Sequence, residues 1–145
     1  MKILVDADAC PAIIRDILVR FVNKQQIKTI FIANQPVAVK RSSFVSTWQV
    51  SQGIDVADQE IIRRACEGDL VVTQDLRLAQ AVLTCKAMAI SPRGELFDRE
   101  TIDSKVSRRD FNEVLRESGV LTGGPSALSG RDSQRFAEKI QQLSI

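Results

Sequence analysis

Ile3-Leu4-Val5-Asp6-Ala7-Asp8 and Leu70-Val71-Val72-Thr73-Gln74-Asp75 are the two stretches that decide the fold, because each is a short aliphatic run ending in carboxylate. A few aliphatic residues closed by turn chemistry fit a strand buried on both faces, and such strands belong to parallel sheets covered by helices. In an open parallel sheet, ligands bind outside the carboxyl ends of the strands. Two such strands side by side would bring Asp6, Asp8 and Asp75 into one pocket. Clustered carboxylates repel unless a positive charge sits among them, and an all-oxygen set favours a hard divalent cation, Mg²⁺ or Mn²⁺.

Outward from these runs, strand-like and helix-like segments alternate. Lys2 to Val5 predicts a strand, and Pro11 to about Asn23 a helix with Ile13, Ile14, Ile17, Leu18, Phe21 and Val22 on its apolar face. Lys28 to Ala33 predicts a second strand, and the region from Trp48 to Ser51 a third. A helix follows from about Val56 to Gly68 with Ile61, Ile62 and Ala65 inward, then a strand from Leu70 to Thr73 and a helix from Leu76 to about Leu83. Ala87 to Ile90 predicts a fifth strand, closed by Ser91-Pro92-Arg93-Gly94. Thr101 predicts the cap of one helical turn containing Ile102 and Val106, and Ser107-Arg108-Arg109-Asp110 a variant capping box before Phe111, Val114 and Leu115. Residues 118–131 form a glycine-rich loop, and a last helix runs from about Asp132 to Leu143. The expectation is one domain over residues 1–145, α/β, with a mostly parallel five-stranded sheet between helical layers and helices at the C-terminal end.

Composition excludes more than it includes. The 145 residues contain no histidine, which removes Ser-His-Asp and Cys-His nucleophilic systems, imidazole bases and two-histidine zinc helices. Cys10, Cys66 and Cys85 are three in number without paired spacing, which suits a reducing compartment, and no signal segment or apolar run of about 20 residues is seen. A cytoplasmic location with no membrane contact is expected; oligomeric state is left open. Net charge is +2. It is uneven: +4 over residues 1–54, −3 over 55–85 and +1 over the remainder. A basic rim around an acidic centre suits a phosphate-rich substrate.

Each candidate has a plainer rival. Asp6 and Asp8 are two apart and can reach one cation, or one of them caps the helix after Pro11. Asp75 equally suits a metal or a helix cap. Asp55 and Asp58 flank a helix start, and Asp58 is the better candidate to complete an acidic site. Cys10 precedes a helix, yet Arg15 lies five positions on, where the phosphatase loop needs six, so a buried structural role fits better. Cys66, Cys85 and Trp48 read as core. Lys40, Arg41, Arg93 and Arg131 are candidate phosphate contacts, and Thr122-Gly123-Gly124-Pro125 a candidate anion nest without the lysine of a Walker loop.

Asp6-Ala7-Asp8-Ala9-Cys10-Pro11, Ala57-Asp58, Val71-Val72-Thr73-Gln74-Asp75, Pro92-Arg93-Gly94, Gly123-Gly124-Pro125, and Arg131-Asp132 with Phe136 together resemble the signatures of the YaiI/YqxD family of small bacterial proteins. That family is similar to PIN-like nuclease domains. The resemblance implies a three-layer α/β/α fold, an acidic metal site and RNA as substrate, with Asp6, Asp58 and Asp75 at the PIN-type acidic positions. Where many PIN nucleases carry a further acid, this chain has Leu76-Arg77-Leu78; either Asp8 takes that place or activity is absent.

The leading expectation is a phosphodiesterase acting on RNA or another phosphorylated substrate, with Asp6, Asp8, Asp58 and Asp75 catalytic as ligands of Mg²⁺ or Mn²⁺. One rival is a haloacid-dehalogenase-like phosphatase with Asp6 as nucleophile and Asp8 as its acid/base partner. The other is a non-catalytic RNA- or protein-binding module.

Overall fold

A computed structural model describes residues 1–119 and 127–143. Its elements in chain order are β1 (Ile3–Asp6), α1 (Ala12–Gln25), β2 (Thr29–Ala33), β3 (Val45–Gln49), α2 (Val56–Arg64), β4 (Leu70–Val72), α3 (Leu76–Thr84), β5 (Met88–Ile90), α4 (Ile102–Glu117) and α5 (Gly130–Leu143). The strands form one all-parallel sheet in the order β3-β2-β1-β4-β5. β1 is central, and the chain winds to β2 on one side of it and later to β4 on the other. The β1/β4 boundary is therefore the point at which strand order reverses.

Strand residues alternate between two cores, which makes the molecule three layers deep. Ile3, Val5, Phe31, Leu70, Val72 and Ile90 face α1 and α5, meeting Ile14, Leu18, Val22, Phe136 and Ile140. Leu4, Ile30, Ile32, Val71 and Ala89 face α2, α3 and α4, meeting Ala57, Ile61, Leu78, Val82, Ile102 and Val106. Each such aliphatic side chain withdrawn from water contributes about 1.5–3 kcal/mol. At the amino edge, Asp69 is buried, accepts from the backbone N–H of Lys2 at 3.1 Å and of Cys66 at 2.9 Å, and pairs with Lys2 Nζ at 2.5 Å. These bonds hold its carboxyl below the ordinary range against the cost of burial. Among the described residues, no helix is long and apolar enough to cross a membrane.

The structure departs from several of these expectations. The third strand lies at Val45–Gln49, earlier than Trp48–Ser51; it is a sheet edge, so only Val45 is buried and the pattern is weak. Trp48 is not core: it is 49% exposed, with the Arg64 guanidinium 4.4 Å from its ring centroid. Ile13 is exposed, one position off the buried stripe of Ile14, Leu18 and Val22. α2 ends at Arg64, and Cys66 and Cys85 lie exposed beyond helix ends. Residues 102–117 form one helix, because no glycine or proline interrupts them and neither Thr101 nor Ser107 makes a side-chain cap. α5 starts at Gly130, with Asp132 accepting from the backbone N–H of Ser129 at 3.0 Å.

α3 and α4 run antiparallel, joined by Gln80 to Asp103 at 2.5 Å and Arg77 to Asp110 at 2.7 Å. Arg109 therefore lies level with the start of α3, and the last two turns of α4 extend about 12 Å beyond it. Phe111 and Val114 are 61% and 60% exposed because, at about 100° per residue, they lie about 180° and 120° around α4 from the buried Ile102.

Candidate functional site

β1 and β4 each end in a turn that leads into a helix, and the two turns are bonded together. Gln74 Nε2 donates to the carbonyl of Ala9 at 2.7 Å. Thr73, buried at the end of β4, donates its hydroxyl to Asp6 Oδ2 at 2.9 Å and accepts from the backbone N–H of Asp75 at 2.9 Å. The Thr73 hydrogen is thereby committed to Asp6, fixing that carboxylate's rotamer at the floor of the crevice. Thr73 was not among the sequence candidates. Its signal is a hydroxyl closing a buried strand two residues before an acid.

Asp6 is 8% exposed, and burial, followed by the Asp75 and Asp8 charges, pushes its carboxyl up against the opposing Thr73 bond. Asp58 reaches the same crevice from the first turn of α2, whose N-terminal end lies at the carboxyl edge. Its carboxyl is pushed up to about 7, by desolvation first, then by the charges of Asp75 and Asp6, a hydrogen bond with Asp75, and Asp55. A hydrogen bond between two carboxyls requires a proton on one of them. Asp75 is both helix cap and crevice acid: Oδ1 accepts from Arg77 N at 2.9 Å and Leu78 N at 3.3 Å, and the Arg109 guanidinium stands 3.7 Å away.

The structure thus brings Asp6, Asp58 and Asp75 to one crevice between β1 and β4. Asp8 borders it with a different commitment, since its Oδ2 accepts from the backbone N–H of Asn34 at 2.7 Å while Asn34 Nδ2 donates to the Ser51 carbonyl at 2.9 Å. That link holds the ends of β1, β2 and β3 together. Asp55 stays exposed, with a left-handed φ of 65° and no side-chain cap bond. Among the described residues, no three acidic or thiol side chains converge closely enough to cage a metal ion by themselves.

The basic candidates divide by position. Lys40 and Arg41 are exposed beside Ser42, whose hydroxyl donates to Asn23 near the end of α1 at 2.6 Å. They lie at the amino edge, across the sheet from the acids. Arg93 and Arg131 lie at the carboxyl edge beside β5. Arg93 Nη1 donates to Asp132 Oδ2 at 2.8 Å, tying the Ser91–Gly94 turn to α5, and Arg131 is exposed on the first turn of α5. Thr122, Gly123, Gly124 and Pro125 lie outside the described residues. Cys10 is buried, its thiol pushed up to about 12 by desolvation, which makes it structural rather than nucleophilic.

The Asp58 environment predicts a pH-dependent stability. A carboxyl raised in the folded state costs nothing while protonated in both states; its cost builds as pH rises from the ordinary value of 3.8 to about 7 and is complete above that. In buffer free of divalent ions, Asp58→Asn is expected to stabilise the protein at pH 8 by about 1–2 kcal/mol after solvent screening, and by almost nothing at pH 4. Thermal unfolding at the two pH values reads this out. An equal gain at both would show that Asp58 does not ionise against its neighbours.

The family model described as "Uncharacterized BCR, YaiI/YqxD family" matches residues 4–144. A UPF0178 protein of Acidithiobacillus ferrooxidans is 49% identical over 145 residues, covering 100% of this chain and 99% of that protein. A UPF0178 protein of Klebsiella pneumoniae is 49% identical over 142 residues, covering 98% and 93% respectively. One of Shewanella amazonensis is 44% identical over 142 residues, covering 98% and 95%. No solved structure matches the chain.

Proposed function

The chain belongs to the YaiI/YqxD family, and for this member of it we propose a metal-dependent phosphodiesterase activity on RNA. The observation that carries the reading is the meeting of Asp6, Asp58 and Asp75 at the carboxyl edge of the two central strands, where burial first and neighbouring acids second raise the carboxyls of Asp6 and Asp58. Capping α3 accounts for Asp75 but not for two further acids brought against it, and local conflicts of this kind collect at functional sites. The resemblance to PIN-like nuclease domains supplies the reaction class.

The donor chemistry fits a hard divalent ion. Without a cation, a proton relieves the repulsion between Asp58 and Asp75, and a divalent ion would relieve the same repulsion. Mg²⁺ is commonly held by one or two carboxylates, with water and substrate phosphate completing its shell, so a three-carboxylate cage is not required. In this reading one or two of Asp6, Asp58 and Asp75 would ligate the ion directly and the remainder would reach it through water, while Asp8 braces the neighbouring strand ends. When bound, the ion supplies charge neutralisation of the phosphate and activation of a water. Thr73 holds Asp6 in one rotamer, the two α3 amides occupy Asp75 Oδ1, and Arg131 adds positive charge along the same edge.

The absence of a preformed three-ligand cluster among the described residues favours one alternative, a binding module that retains the acids without turnover. The phosphatase reading has less support, since Asp6 is shielded and Asp8 is engaged by Asn34. Thermal shift tests the metal site. At a free Mn²⁺ concentration about 100-fold above Kd, the wild type gains about 2.7 kcal/mol, and Asp6→Asn loses most of that increment. Equal shifts in the two proteins would place the ion elsewhere.

A further inference from the structure

Arg109 meets Asp75 in an arrangement too loose to serve stability. Its Nη1 lies 3.7 Å from Asp75 Oδ1, an oxygen that already accepts from two backbone amides. The two side chains are 45% and 32% exposed, and an ion pair this open contributes little to folding. Arg109 makes no hydrogen bond among the described residues, so its donors remain available. Among the acids of α4, Asp103 is bonded to Gln80 and Asp110 to Arg77, and Glu113, one turn on from Arg109, makes no ion pair with it among the described residues. Those two links, with Ile102 and Val106 buried beneath them, also fix α4 against α3. They hold the Arg109 guanidinium, paired only loosely with Asp75, at the rim of the acidic crevice.

Resting on the reading that the crevice binds a divalent ion and a phosphodiester, we infer that Arg109 serves two partners in turn. In the empty crevice it is the counter-charge of Asp75. Once a divalent cation has taken that carboxylate, like charge drives the guanidinium off, and its planar fork of donors receives a non-bridging oxygen of the substrate phosphate. Arg109 is thus a substrate-binding residue and a competitor of the metal, and the two roles respond oppositely to its removal.

Titration calorimetry with Mn²⁺ alone and fluorescence anisotropy with a labelled oligouridine in Ca²⁺ buffer read the two roles separately. Arg109→Gln is expected to tighten Mn²⁺ about 2–5-fold, the range of an exposed ion pair. It is expected to weaken oligouridine about 5–20-fold and to make the salt dependence shallower by about one phosphate contact. Arg109→Lys keeps the salt slope while losing part of the affinity, because a point charge replaces the fork. Arg99→Gln, before the far end of α4, is the control for deleting an exposed charge. Unchanged or weaker Mn²⁺ binding in Arg109→Gln, or an affinity loss without a change in slope, overturns the inference. Binding that follows Arg109 as described, with no cleavage by any variant, rejects the nuclease reading and retains this one. Cleavage that requires Asp75 but is indifferent to Arg109 in every assay does the reverse.

Discussion

Asp75→Asn is expected to lower Mn²⁺-dependent cleavage of single-stranded RNA by about two orders of magnitude or more, with little loss of stability. The two effects separate because Asp75 does two things. As the cap of α3 it accepts from the amides of Arg77 and Leu78, and the amide oxygen of asparagine accepts the same bonds. As a crevice acid it supplies negative charge, which asparagine lacks. The measurement is single-turnover cleavage beside a melting curve, with wild type and variant purified in parallel. Unchanged cleavage in the variant would locate the activity in a contaminant or another site, and a matching collapse of the melting temperature would show that capping dominates.

The second large effect is structural and lies away from the acids. Gly94 has a φ of +87°, and a Cβ there would stand 2.8 Å from both the Arg135 carbonyl carbon and the Phe136 nitrogen. Both are backbone atoms of α5 and cannot rotate aside. Gly94→Ala must therefore strain the turn and push α5 from the sheet, loosening the fully buried Phe136. The expected cost is about 3 kcal/mol, a fall of roughly 6–12 °C in melting temperature. Gly68→Ala is the internal control, since it has a similar φ of +86° with nothing within 4 Å of the added carbon. It is expected to cost about 1–2 kcal/mol from the backbone alone. Equal losses at the two positions would mean that the close approach of α5 is not what Gly94 serves.

The same turn shows how far sequence reasoning reaches. From sequence Arg93 is a candidate phosphate contact; in the structure it pairs with Asp132, and Gly94 seats a helix. An arginine beside a glycine has the same local signature for either purpose, and only the distant partner distinguishes them. The central strands were legible because burial on both faces forces unbroken aliphatic runs, and the acids closing them mark the carboxyl edge. β3 was misplaced because an edge strand with one buried residue carries little periodic signal. The exposed Phe111 and Val114 mimic a core stripe, yet the phase of α4 set by the buried Ile102 and Val106 turns them away from α3. Among crevice residues, the acids announced themselves by spacing. Thr73 and Arg109 act through partners set by register and helix phase, which no single segment encodes.

The five strands pair with one another only in parallel, and this has a consequence for how the molecule comes into being. β1 is made first, but its partner β4 and the Thr73 hydroxyl that orients Asp6 lie 67 residues further along the chain. Long-range parallel pairing forms slowly because loop closure must precede any gain from contact. During synthesis, β1, α1 and β2 emerge with one half of the crevice exposed, and Asp6 waits without Asp58 or Asp75. The charges that oppose one another in the finished protein are far apart while the first half assembles, so the unfavourable cluster forms only when the later strands and helices are present to hold it.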